Sequence, residues 1–228
     1  ETKIIENLYT AGQINGTSGY EEAACQGLIA GINASLKLEG KEPLVLKRNE
    51  AYIGVLIDDL VTKGVIDPYR LLTSRAEYRL LLRQDNADER LMPLGHEIGL
   101  VSDETYNRYL VKQERIQNEI NRLESTVLAP SVSVDDYLIL KGSAPLKTGI
   151  KYADLLRRPE ISYEDLKSIC PNMPEVPKEV SKQAEIRIKY EGYIKRQQSQ
   201  ISAFKKLENK RLSEEIDYAE IKGLRIEA

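Results

Sequence analysis

Apolar side chains recur at helical spacing through most of this chain and alternate at strand spacing in only a few short places. Residues 8–11, Leu8-Tyr9-Thr10-Ala11, form a short apolar run that reads as a strand. It leads into a turn punctuated by Gly12, Gly16 and Gly19, and a helix opens at Tyr20-Glu21-Glu22 and runs to about residue 38. Ala23, Gly27, Ala30 and Ala34 give that helix a small-residue face suited to close packing on a sheet or a ligand. A second helix is predicted over 49–63, with Ile53, Leu56 and Leu60 apolar and Gly64 closing it. Over 71–83, Ala76, Tyr78, Leu80 and Leu82 alternate with Arg75, Glu77, Arg79 and Arg83, the period of a half-buried strand. As a helix the same stretch would still align Arg75, Arg79 and Arg83. Either assignment puts the three arginines on one face.

Asp85-Asn86-Ala87-Asp88 reads as a polar break and Pro93-Leu94-Gly95-His96 as a turn. Ser102 caps a long helix to about residue 125, with Asp103 and Glu104 in the first turn, where the helix dipole favours acids. Its apolar positions are Tyr106, Leu110, Ile116, Ile120 and Leu123. Residues 128–133 and 141–145 read as linkers, and short helices follow near 151–156 and 163–168. Ser162 and Asp165 have the spacing of a capping box. Pro171, Pro174 and Pro177 make a stiff connector before a last long segment, 178–210. Ile186, Ile188 and Tyr190 alternate there, but Ile186, Tyr190, Ile194, Ile201 and Phe204 fit a helix over the whole length. The fold expected is mainly α with a small β component.

At 228 residues, 41% hydrophobic and 30% charged, the chain suits one large or two small globular domains. No apolar run reaches the roughly 18 residues needed to span a bilayer, and the first residues lack the basic start and apolar block of a signal peptide. Cys25 and Cys170 match no metal spacing, which favours a reducing, cytoplasmic setting. The net charge of −3 confines any nucleic-acid surface to a local patch. The stretch 184–211 is such a patch, with eight Lys or Arg against three Glu, whereas 212–228 is acidic. A lone strand-turn-helix unit cannot bury its own faces, so the chain is expected to be a C-terminal piece of a larger protein.

The chemistry narrows to two places. His96 has no His or Cys neighbour in sequence, Cys25 and Cys170 have no visible activator, and the adjacent acids Glu21-Glu22 and Asp58-Asp59 diverge on a helix. No catalytic residue and no metal site are assigned. The glycine turn before a helix N-terminus suits an anionic or carbonyl-bearing ligand, although it is not a dinucleotide fingerprint. The arginine face suits phosphate, with Arg70, Lys47 and Arg48 as neighbours and Tyr69 and Tyr78 as possible stacking partners; an ion-paired solvent face is the alternative.

The run AGQINGTSGYEEAACQGLIAGIN resembles the second signature of the MnmG (GidA) family. The resemblance continues through YIGVLIDDLVTKGVIDPYRLLTSRAEYRLLLRQDNADERLMPLGHEIGLVS and returns in IKYEGYIKRQ. It implies three parts: 1–42, the C-terminal remnant of an FAD-binding domain; 43–177, a helical domain with a short β element facing tRNA; and 178–228, the start of a C-terminal helical region. It implies that Gln13 contacts the flavin, that Gly12, Gly16, Thr17 and Gly19 line the same pocket, and that the helix from Tyr20 points its N-terminus at the ring. It assigns Arg75, Arg79 and Arg83 to tRNA. The implied activity is addition of a carboxymethylaminomethyl or aminomethyl group to C5 of the tRNA wobble uridine. FAD, NADH and a folate one-carbon donor take part, with the GTPase MnmE as partner and a homodimer as the assembly. The family's dinucleotide fingerprint and catalytic cysteines are not in this sequence, so this chain alone is expected to be inactive. A non-catalytic tRNA- or protein-binding module, or a relative of folate-dependent tRNA methyltransferases, are the alternatives.

Overall fold

A computed structural model describes residues 1–170 and 173–208. Pro171, the 209–210 end of the last predicted helix and the acidic stretch 212–228 lie outside the described residues. The fold is mainly helical, and the sheet in the described residues has two strands.

The helices are α1 (Tyr20–Leu38), α2 (Tyr52–Thr62), α3 (Ala87–Glu97), α4 (Asp103–Ser125), α5 (Val132–Leu140), α6 (Tyr152–Leu156), α7 (Tyr163–Ile169) and α8 (Lys178–Glu208). Strands β1 (Val127–Leu128) and β2 (Ile150–Lys151) pair antiparallel, Val127 opposite Lys151 and Leu128 opposite Ile150. Two predicted caps form, and a glycine ends α1. Ser102 Oγ accepts the Thr105 N–H at the start of α4. Ser162 and Asp165 make both bonds of a capping box on α7. Gly40, at φ +67°, lets the Lys41 N–H turn back to the Leu36 carbonyl at 2.9 Å and end α1.

The structure departs from the sequence reading in four places. Residues 8–11 are not paired as a strand, because no neighbouring strand among the described residues offers ladder partners. Residues 71–83 form neither strand nor helix: a single 3-10 turn, Thr73–Arg75, is followed by consecutive turns. The β element lies instead at 127–128 and 150–151, beside stretches read as linkers, and α5 occupies part of one of them. Residues 87–97 are helical despite Pro93, whose missing N–H leaves just the Glu89 carbonyl without its helical donor. Asp88 and Glu89 in the first turn favour that helix. Over 184–190 the helical alternative holds, within α8.

The main core joins α4 to α8. Leu123, Leu138, Ala153, Leu155, Leu156, Ile161 and Leu166 are fully buried together, and Ala184 and Ile188 of α8 close the same cluster. Inside it the Glu119 carboxylate is satisfied by Arg122 at 2.6 Å and by the Tyr163 hydroxyl at 2.6 Å, as a buried charge requires. The N-terminal part has a much smaller apolar cluster, Val55, Ala76 and Leu82 with Tyr52 and Leu71 against it. It must be held by polar bonds to a greater degree. Leu166→Ala is expected to lower the unfolding free energy by about 3 kcal/mol through the cavity left behind. Val127→Ala, at an exposed position, should change it by less than about 0.5 kcal/mol. Urea unfolding midpoints of the two variants check the contrast.

Candidate functional site

Gly12–Asn15 form one 3-10 turn, and Gly12 and Gly16 both have positive φ, +85° and +77°. A Cβ on Gly16 would come 2.2 Å from Val65 Cγ2, so both the angle and the space require glycine. The turn is tied inward on two sides. The Gly12 N–H donates to Gln26 Oε1 of α1 at 2.7 Å. The Tyr69 N–H donates to the Gly16 carbonyl at 2.7 Å, and Thr17 Oγ1, almost sealed from water, donates to the Tyr69 carbonyl at 2.7 Å. Gln13 is left exposed, and its amide makes no hydrogen bond among the described residues.

A cavity of about 340 Å³ opens there, walled by Gln13, Gly16, Thr17 and Ser18 on one side and Val65, Ile66, Asp67 and Pro68 on the other. Gly12 and Gly19 are not among its walls. Gly19 is buried beneath the Glu22 carboxylate, and any Cβ there would collide with it. Glu22 does more than answer the helix dipole. It is 4% exposed, and its Oε1 accepts the Leu71 N–H at 2.9 Å and Arg70 Nε at 3.1 Å. Its pKa is lowered by the Leu71 N–H against the opposing effect of burial, with Arg70 assisting. The positive end of α1 therefore already faces an anion of its own. A flavin would be met by the Gln13 amide and the open backbone of the turn, a donor set that suits the edge of a polar heterocycle, rather than by the helix dipole.

The arginine segment hangs from the same Tyr69. This residue is 4% exposed, its hydroxyl donates to Asp59 at 2.7 Å, and the Arg75 guanidinium covers its ring at 4.4 Å. A base cannot stack on it, which corrects the expectation for Tyr69. Arg75 and Arg79 are exposed, and Arg79 makes one long contact, to Thr73 Oγ1 at 3.4 Å. Arg83 is held by Asp85 at 3.1 Å and the Leu80 carbonyl at 2.5 Å, and lies 5.7 Å from the Tyr190 ring of α8. The three arginines are not equivalent: two are available to a ligand and the third is built into the fold. Arg70 is paired with Glu22, whereas Lys47 is exposed.

Arg48 is the residue that sequence reasoning placed on the wrong side of the surface. It bonds Asp58 at 2.9 Å, Asp59 at 2.7 Å, Glu77 at 2.6 Å and the Arg75 carbonyl at 3.1 Å. Burial works against its charge, but the hydrogen bonds from Glu77, Asp59 and Asp58 prevail and raise its pKa. Burial likewise pushes Asp59 up, and is overcome by bonds from Lys63, Tyr69 and Arg48 that bring its carboxyl down to about 2. The two adjacent acids, expected to diverge, both accept from Arg48 Nη1. No local signal marks the partner Glu77, 29 residues from Arg48. Elsewhere, His96 Nε2 meets Asp103 at 2.8 Å and the ring stacks on Tyr106 at 4.1 Å, a structural use. Burial raises both thiols, Cys170 to about 11, and the Glu22 and Glu21 carboxylates add to the rise at Cys25.

Two family models match the chain. The one described as glucose inhibited division protein A covers residues 1–42, and the tRNA modifying enzyme MnmG/GidA C-terminal helical domain covers residues 103–198. The chain belongs to the MnmG/GidA family. It is 60% identical, over 99% of its length, to the tRNA uridine 5-carboxymethylaminomethyl modification enzyme MnmG of Caldicellulosiruptor saccharolyticus, and 56% identical over 100% to that of Geobacillus kaustophilus. It spans 36% of the length of each of those relatives. The structure of Aquifex aeolicus GidA in the form II crystal superposes on all of it with a TM-score of 0.77 at 43% identity, using 35% of that longer chain. The family and the mainly helical fold are those expected from the signature at 11–33.

Because the Asp59 carboxyl titrates near 2 when folded and near 3.8 ordinarily, its ionised form stabilises the fold above about pH 4. That contribution, of about 2 kcal/mol, is lost as pH falls from about 4 to about 2. The difference in unfolding free energy between the wild type and Asp59→Asn should therefore narrow over that range and stay constant from pH 5 to 7. Gly16→Ala should destabilise the turn by about 1–3 kcal/mol, read as a lower thermal midpoint.

Proposed function

We propose that this chain works as the C-terminal part of a longer MnmG/GidA polypeptide that modifies C5 of the tRNA wobble uridine, adding a carboxymethylaminomethyl or aminomethyl group. The observation that carries this reading is the sharing of Tyr69. Its backbone fixes the Gly16–Thr17 turn and its ring carries Arg75, so a cofactor turn and a phosphate-binding segment are set against each other by one residue. The family names of the relatives supply the substrate class.

In this reading FAD, when bound, supplies the redox chemistry, with NADH and a folate one-carbon donor as co-substrates. Gln13 offers its amide to the flavin, while Gly16 and Thr17 keep the turn low enough for the approach; Gly12 and Gly19 shape the turn from behind. Arg75 and Arg79 neutralise tRNA phosphates, and Arg83 steadies the segment that carries them. The GTPase MnmE, a homodimeric assembly and a cytoplasmic setting belong to the longer polypeptide. The chain by itself is inactive in this reading, because the turn presents one side of a cofactor site and neither Cys25 nor Cys170 takes the role of the family's catalytic cysteines.

Two measurements test this. Gln13→Ala in the longer polypeptide should weaken flavin binding by about tenfold, as loss of one hydrogen-bonded amide does; unchanged flavin affinity would overturn the assignment. Arg75→Gln with Arg79→Gln should weaken tRNA binding and flatten its dependence on log salt by about one to two units. An unchanged salt slope would remove these arginines from the tRNA surface.

A further inference from the structure

Helix α8 packs on the main core through Ala184 and Ile188, and Ile201 is buried further along. Val180, Ala184 and Ile188 form its buried stripe, whereas Tyr190 and Tyr193 point outward, 39% and 59% exposed. The two rings lie 6.4 Å apart, tilted by 55°. Each has a guanidinium beside it, Arg83 at 5.7 Å from Tyr190 and Arg196 at 5.9 Å from Tyr193. Between them in sequence is Gly192, inside a 31-residue helix. A Cβ there would meet nothing within 4 Å. Glycine weakens a helix interior, and here no packing inside the molecule asks for it. What it leaves is bare backbone on the flank of the helix beside the face that the two rings share. From Glu185 to Leu207 the helix carries six Lys or Arg against two Glu. Arg83, held by Asp85, joins the segment that bears Arg75 and Arg79 to the ring of Tyr190.

We infer that Tyr190 and Tyr193 form a stacking platform for an unpaired RNA base, with Arg196 meeting a flanking phosphate. Charge complementarity selects RNA over an apolar protein segment: the rings are framed by guanidiniums, and stacking on aromatic or guanidinium planes is how single-stranded bases are held. The inference rests on the tRNA reading above and adds to it a second element, a site that recognises an unstacked base rather than the duplex backbone.

The test uses the full chain and a tRNA anticodon stem-loop with an unpaired loop, alongside a blunt RNA duplex of equal charge. Tyr190→Leu with Tyr193→Leu should weaken stem-loop binding by about tenfold or more, leave the salt slope unchanged, and leave duplex binding unchanged. The corresponding pair of Phe substitutions should bind as the wild type does. The thermal midpoint of the Leu variant should stay at the wild-type value, since both rings are exposed, while stem-loop binding falls. That combination excludes unfolding as the cause. If the wild type bound neither RNA, the tRNA reading itself would fall. If the wild type bound the stem-loop and the Leu substitutions left its affinity unchanged, the platform would be overturned while the arginine surface stood. Equal losses on stem-loop and duplex would also overturn it.

Discussion

A carboxylate sealed from water must be fully compensated, and Asp59 is compensated from three parts of the chain. Arg48 reaches it from the loop before α2, Lys63 from the end of its own helix, and Tyr69 from the segment that follows. Burial of this charge is costly, so removing any one partner leaves an uncompensated group rather than merely a lost contact. Because Tyr69 also bonds Gly16 and Thr17, the same carboxylate fixes the glycine turn. Because Arg48 also holds Glu77 and the Arg75 carbonyl, it fixes the arginine segment as well. The apolar cluster of this region, Val55, Ala76 and Leu82, is small, with Ile29, Leu36, Ala51 and Leu56 buried besides, so the polar bonds carry a larger share of what holds it.

The chain therefore combines two kinds of stability. From α4 to α8 a large apolar core does most of the work, with the carboxylates of Glu119 and Asp165 buried at its margin and held by Arg122, Tyr163, Tyr137 and Ser162. Before α4 a polar network carries a larger share of it. The two are joined through α8, where Gln183 donates to the Asp85 carbonyl and Arg187 pairs with Glu89. Polar networks specify a single arrangement only when every member is present. Such a region is suited to positioning ligands, and Gln13, Arg75 and Arg79 all lie on it.

Much of this was legible along the chain. The long helices, the Ser102 and Ser162 caps and the glycine turn are local features, written in spacing and residue type. What was not legible depends on residues far apart. Period-two alternation over 71–83 suggested a strand, but no neighbouring strand is there, and the alternation instead reflects side chains drawn by turn to Tyr69, Arg48 and the small cluster. Pro93 suggested a turn, yet its surroundings tolerate it inside α3. Arg48 looked like a free cation because its partners Asp59 and Glu77 are set by the fold. The family signature pointed to the glycine turn, but not to the role of Glu22, whose carboxylate sits at the N-terminus of α1 and is held by Leu71 and Arg70.

The central claim is that one buried network holds the glycine turn and the arginine segment together. Amide hydrogen exchange on Arg48→Met tests it directly. The account predicts that the Tyr69 amide, bonded to Gly16, and the Leu71 amide, bonded to Glu22, lose protection together with the turns over 73–82, while the amides of α4 and α7 keep theirs. Full protection of Tyr69 in that variant would contradict it, since the turn would then be held by something other than the Asp59 network.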